Sequence, residues 1–236
     1  MAVARVGTSG WSYPEWVGHF YPNGTSPPRM LAFYARLFPT VEAHSTYRRL
    51  PTVSTVERWV ASVPPWFMFA PKAHLAITHR QDLDGVEDRV AAFAEAVAPL
   101  GEHLGPVLFA LPHAQPDLAR LERLLRALPP SSRLAAAFEL SPAWVTPEVV
   151  RRLEAADATL VLVENDARLA PDLDIGPFTY LRLRRSRYTR ADLDGWVERL
   201  EKITAGGRDA WVFFKHDEAG DGPRYARRVM GRLHRP

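Results

Sequence analysis

The regular alternation of short β-rich runs with amphipathic stretches narrows the fold of this chain more than any other feature. Runs suited to strands fall at Val3–Gly7, Thr40–Ala43, Phe67–Lys72, Val107–Leu111, Leu134–Glu139, Thr159–Glu164, Thr179–Leu183 and Ala210–Phe214. Helical spacing is clearest over Val86–Leu100, Leu118–Leu128, Pro147–Ala156, Ala191–Thr204 and Arg224–Leu233. Leu118, Leu121, Leu124, Leu125 and Leu128, for example, recur so as to line one face of a helix. Ser54 with Glu57, and Thr189 with Asp192, fit a capping box, and Thr146-Pro147 pairs a capping hydroxyl with a proline at the first helical position. Strands alternating with helices require crossover connections and therefore a parallel sheet. Eight such units in 236 residues predict an α/β fold, a single (β/α)8 TIM-type barrel domain spanning 1–236. An irregular unit is expected after strand six, where Ala167–Gly176 is rich in turn residues, and Pro22–Pro28 reads as a long loop.

Strand parity then selects the side chains that face the interior. Successive residues of a strand alternate faces; in a barrel one face meets the helices and the other fills the lumen. Thr179, Leu181 and Leu183 suit the helix side, which turns Tyr180, Arg182 and Arg184 inward. By the same reasoning Val41 and Ala43 send Glu42 and His44 inward, Phe67 and Phe69 leave Met68, Ala70 and Lys72 inside, and Phe138 leaves Glu139 inside. Glu42, Lys72, Glu139 and Arg182 are thus expected together near the C-terminal rim. Isolated charges there are costly to desolvate, so they must pair or bind something.

Two readings of that layer follow. It is either a closed set of ion pairs that plugs the interior, or the floor of a pocket where barrel enzymes place their chemistry. In the second, Glu42 and Glu139 act as general acid or base, and Lys72 and Arg182 set their protonation and hold an anion. Arg184 and Arg185 after strand seven and His216 after strand eight lie where this fold often binds phosphate. Trp11 and Tyr47, just beyond strands, offer rings that stack on a base or sugar or simply pack the loops.

Composition sets the outer limits. Thirty Lys+Arg against 27 Asp+Glu leaves +3, which permits a small anionic ligand or phosphate without demanding one. The absence of cysteine removes thiol chemistry and Cys-ligated zinc. His44, His74, His79, His113 and His216 with Glu164 and Asp217 offer ligands for a bound metal, but no H-E-x-x-H spacing gathers them; the cofactor stays unassigned and a metal is not favoured. No apolar run is long enough to cross a bilayer and no signal peptide is evident, so a cytoplasmic location and no membrane partner are expected. No G-x-G-x-x-G follows the first strand, which argues against a dinucleotide.

Several segments carry a resemblance. Gly7-Thr8-Ser9-Gly10-Trp11-Ser12-Tyr13, Thr40 to Tyr47, Arg49-Leu50-Pro51, Phe69 to Ala73, Ile77-Thr78-His79, Leu104 to Phe109, Phe138-Glu139 and Tyr180 to Leu183 together resemble the YecE-like family, the domain of unknown function 72. The resemblance runs in order along nearly the whole chain. It implies a (β/α) barrel and implies no reaction. The chain departs from the family at the mouth: His44 stands where members carry Asn, Ala110 where they carry Gln, Arg184-Arg185 replaces His-Gly, and Lys215-His216 replaces Asn-Asn. The leading functional expectation is a hydrolase or lyase acting on a small anionic or phosphorylated ligand. A non-catalytic barrel binding nucleic acid through Arg48, Arg49, Arg80 and Arg184 to Arg187 is the alternative, as is a degenerate scaffold with a salt-bridged interior.

Overall fold

All eight expected runs form strands, with ends displaced by no more than two residues: β1 (Ala4–Thr8), β2 (Thr40–Ala43), β3 (Met68–Pro71), β4 (Val107–Ala110), β5 (Ala136–Glu139), β6 (Thr159–Glu164), β7 (Thr179–Leu183) and β8 (Ala210–Phe214). The structure is a computed structural model and describes residues 1–80, 83–216 and 219–233. Every ladder is parallel, as the crossover connections require. Pairing divides the strands into a six-stranded sheet, β1-β8-β7-β6-β5-β4, and a two-stranded sheet, β2-β3. Between the two stand only isolated bridges, Ser9 to Glu42 on one side and Phe69 to Leu104 and Lys72 to Leu108 on the other. The architecture is α/β with a curled parallel sheet; where sequence spacing predicts one eight-strand ring of ladders, the backbone pairs as six and two.

The helices are α1 (Pro27–Tyr34), α2 (Ser45–Arg48), α3 (Val53–Ala61), α4 (Leu75–Thr78), α5 (Val86–Val97), α6 (Leu118–Ala127), α7 (Pro147–Ala155), α8 (Arg190–Ala205) and α9 (Asp221–Leu233). The expected loop holds over residues 22–26, and its last two residues, Pro27 and Pro28, belong to helix α1. Pro27 and Pro28 open it after Ser26, where a missing N–H leaves no bond unmade. The cap of α3 is Thr52, whose hydroxyl accepts from the Thr55 amide at 3.3 Å, two residues upstream of the expected Ser54. Helix α5 stops at Val97 and gives way to 3-10 turns across Ala98–His103, where Gly101 adopts φ 55°. The segment after β6 carries no helix, as expected. Asn165 Oδ1 instead accepts from the amides of Ala167 and Arg168 at 3.0 and 3.1 Å and commits the chain to a turn.

Apolar side chains fall into two layers, as parity requires. Val41, Phe69, Phe109, Phe138, Leu162, Leu181, Leu183 and Val212 pack between sheet and helices. Ala70, Leu108, Ala137, Val161, Val163, Tyr180, Trp211 and Phe213 fill the concave inside of the sheet. Polar chemistry is left to the C-terminal strand ends above that plug.

The capping box on α8 is complete. The Asp192 amide donates to Thr189 Oγ1 at 3.2 Å, and Asp192 Oδ2 accepts from the Thr189 amide at 2.7 Å. Thr189→Ala is expected to cost about 1 kcal/mol. In a chain of this size that is a fall in Tm of roughly 2–4 °C by scanning calorimetry; no change would mean the cap is redundant.

Candidate functional site

The site is built on the penultimate residue of β2. Glu42 is 0% exposed, and a bare carboxylate so buried would take up a proton. Three donors and one further contact prevent this. Ser9 Oγ donates at 3.0 Å, Tyr180 OH at 2.9 Å and Arg182 Nη2 at 2.8 Å, and His44 Nε2 contacts Oε1 as well. Burial pushes the Glu42 carboxyl up, but Arg182 and then His44 overcome it and hold the group well below the usual carboxylate range. Ser9, His44 and Arg182 all meet Oε1, and among the described residues Tyr180 alone reaches Oε2.

Arg182 is the hub. It is 3% exposed, bonded by Nη2 to Glu42 and by Nη1 to Glu139. Burial alone lowers its affinity for a proton; Glu42 and Glu139 reverse that and drive its pKa up. Its Nη2 also lies 3.3 Å from His44 Nε2. That nitrogen therefore faces a carboxylate when it carries a proton and a guanidinium donor when it does not. The expected acid–base pair thus occupies unlike surroundings: the Glu42 side chain is sealed, while that of Glu139 is 26% exposed.

Two further cations border the hub. Lys72, one residue past β3, and Arg184, one past β7, are half-buried. Burial first, and the Arg182 charge second, lower the pKa of both. Neither has a carboxylate within ion-pair distance among the described residues. Lys72 Nζ rests 4.1 Å from the centre of the Tyr47 ring, and Arg184 Nη1 is buried without a hydrogen-bond partner. Tyr13, near enough to Arg184 for each to feel the other's charge, donates to the Ser9 carbonyl at 2.7 Å and stacks face to face on His216, centroids 4.6 Å apart. Burial and the nearby Glu42 charge push its phenol up to about 12. Gly10, Trp11, Ser12, Tyr13, His44 and Ser45 enclose a cleft of 240 Å³.

The sequence-expected residues therefore divide. Glu42, Glu139, Lys72, Arg182, Arg184, His44, Tyr47 and His216 gather at the C-terminal strand ends. Trp11 borders the cleft but is 7% exposed, its ring packed edge-on against Trp59 and Phe69, so it braces the loop. Arg185 turns away: it pairs with Asp192 of α8 at 3.1 Å and lies over Tyr188. Ser9, one residue past β1, extends its pairing through a bridge to Glu42, and the parity that turns Val6 toward the helices would have placed it inward. Of the metal-ligand candidates, Glu164 faces α8 and accepts from Trp196 Nε1 at 3.2 Å, and His74 caps α4. Asp217 lies outside the described residues. Among the described residues no three His, Asp or Glu side chains are placed to hold a metal ion, and no helix is long and apolar enough to cross a membrane.

Comparison with known proteins gives the same architecture. A DUF72 family protein from Thermotoga maritima superposes with a TM-score of 0.86 at 22% identity, covering 98% of this chain and 99% of that one. One from Enterococcus faecalis gives 0.80 at 20% identity, covering 99% and 96%. The UPF0759 protein YunF of Bacillus subtilis is 24% identical over 261 residues, 92% of this chain and 89% of YunF. The UPF0759 protein YecE of Escherichia coli is 30% identical over 126 residues, 52% of this chain and 44% of YecE. The family described as protein of unknown function DUF72 matches residues 5–236, nearly end to end, and the chain belongs to it.

Proposed function

We propose that the two sheets work as one (β/α)8 barrel whose mouth binds a small anion, phosphate or a phosphate ester, and acts on it as a hydrolase or lyase. The observation that carries this reading is a charge imbalance. Among the described residues three cations, Arg182, Lys72 and Arg184, adjoin two carboxylates, Glu42 and Glu139, and both carboxylates pair with Arg182. Lys72 and Arg184 are left half-buried beside a like charge, an arrangement that an incoming anion relieves. Arg184 supplies a planar fork and Lys72 a mobile ammonium, a pair suited to phosphate oxygens.

In this reading the buried carboxylate is an anchor. Glu42 fixes the Arg182 guanidinium, which in turn orients Glu139. Proton transfer falls to the two partly open groups, Glu139 and His44, the latter on the wall of the cleft.

Calorimetric titration with inorganic phosphate, and turnover of a phosphoester panel, test it. Lys72→Met and Arg184→Met are each expected to weaken phosphate binding about tenfold or more, the loss of one charge-assisted hydrogen bond. His44→Gln and Glu139→Gln are expected to keep binding and lose turnover. Phosphate affinity that is absent, or unchanged in the Lys72→Met/Arg184→Met double variant, overturns the reading. It would favour the scaffold, for which the ion-paired Glu42–Arg182–Glu139 chain is the supporting observation.

A further inference from the structure

Helices α8 and α9 present a second basic surface, and none of the residues that line its clefts belongs to the mouth set. Arg224, Arg227, Arg228 and Arg232 recur at helical spacing along α9, opposite its buried Tyr225, Ala226 and Val229. Arg187 and Arg190, at the start of α8, stand across a groove from them. Three adjoining clefts of 590, 490 and 400 Å³ are lined by these side chains and share Arg190, Arg224, Arg227 and Arg228 between them.

The charge is concentrated, and only partly compensated. Asp194 contacts Arg190, Arg228 and Arg232, and Asp221 contacts Arg224. Among the described residues that line the clefts or pair with them, six arginines against two aspartates leave four positive charges, more than the +3 of the whole chain. The remainder of the protein therefore carries a slight negative excess, and the surface is polarised toward α8 and α9. Arg187 and Arg227 are exposed, with no carboxylate within ion-pair distance among the described residues. Gly231 sits in the stripe between Arg228 and Arg232, where a Cβ would meet open space. A glycine inside a helix costs about 1 kcal/mol relative to alanine, and here it opens the floor of the groove between guanidinium groups.

We infer that this face binds the phosphodiester backbone of a nucleic acid, without reading its sequence. Arginine forks match phosphate oxygens, and eight residues of α9 span about 12 Å, room for three or four successive phosphates of one strand. A lipid surface is the poorer match, because the exposed large apolar side chains, among them Val53, Trp66, Val145 and Leu169, all lie outside these clefts and leave nothing here to enter a bilayer.

Fluorescence anisotropy of a short labelled DNA duplex and its single strand, titrated with the intact protein, tests the inference. With about four phosphates neutralised, affinity for the duplex is expected to fall roughly a hundredfold between about 50 and 200 mM salt. The triple reversal Arg187→Glu/Arg224→Glu/Arg227→Glu is expected to lose at least tenfold in affinity and to flatten the salt slope. The corresponding Lys triple retains binding, and Lys72→Met/Arg184→Met at the mouth leaves it unchanged. No binding at low salt, equal binding by the reversal variant, or equal loss in the mouth variant overturns the inference. So does reversal-sensitive binding to phosphatidylserine-rich vesicles without binding to the oligonucleotides. A circular dichroism melt confirms that the reversal variant is folded.

Discussion

Glu42→Gln is expected to lower the free energy of unfolding by about 3–5 kcal/mol, read from urea titration, because it orphans a buried guanidinium. Arg182 would keep Glu139 but lose the carboxylate that no solvent can replace, and the amide would turn a donor toward one of the three groups now donating to Glu42. Glu42→Leu/Arg182→Met removes both charges and is expected to recover most of that loss. A Glu42→Gln effect below about 1 kcal/mol would show that water reaches Arg182 and that the network is not buried as described.

The same group gives the protein an acid limb. Burial raises the Glu42 pKa, yet Arg182 and His44 hold it below its ordinary value of 4.5 in the folded state. The stability it contributes is therefore complete at neutral pH. It is lost progressively as pH falls below 4.5, because the unfolded chain takes up the proton first. Glu42→Gln lacks this term, so the two stability curves should converge in acid.

Gly7→Ala is expected to cost about 3 kcal/mol, at the upper end of overpacking. A Cβ at Gly7 would lie 2.1 Å from the Thr40 carbonyl oxygen, which is backbone and has no rotamer to yield with. That oxygen also accepts from Tyr34 OH at 3.2 Å, and the same hydroxyl receives the Thr8 amide at 2.8 Å. A methyl here pushes β2 from β1 and disturbs the place where Ser9 reaches Glu42 and the Gly10 amide reaches the Glu42 carbonyl. Urea unfolding and phosphate titration together should show both effects, and a variant as stable as the parent would mean that β2 shifts freely.

Legibility followed the physics of each element. Strands were readable because burial on both faces leaves apolar runs, and parity placed Glu42, Lys72, Glu139 and Arg182 correctly because a strand repeats every two residues. Beyond a strand end that rule lapses. Arg184 follows it for one residue more, whereas Arg185 is claimed by Asp192 of α8. The Tyr13–His216 stack depends on loop paths that no periodicity encodes. Helix α1 was missed because two prolines are both a loop signal and a helix opening. The division of labour between Glu42 and Glu139 depends on how many donors converge on each, a three-dimensional quantity that spacing does not carry. The basic stripe on α9 stood plainly in the sequence at helical spacing, but its meeting with Arg187 and Arg190 needed the packing of α9 on α8.

Pairing as six strands and two also splits the mouth along a seam. Glu42, His44 and Lys72 ride with the smaller sheet; Glu139, Arg182 and Arg184 ride with the larger. The guanidinium of Arg182 is therefore a clasp across that seam as well as a neutraliser of buried charge. A molecule gripped jointly by Lys72 and Arg184 would fasten the same two halves, so occupancy of the mouth and cohesion of the two sheets would rise and fall together.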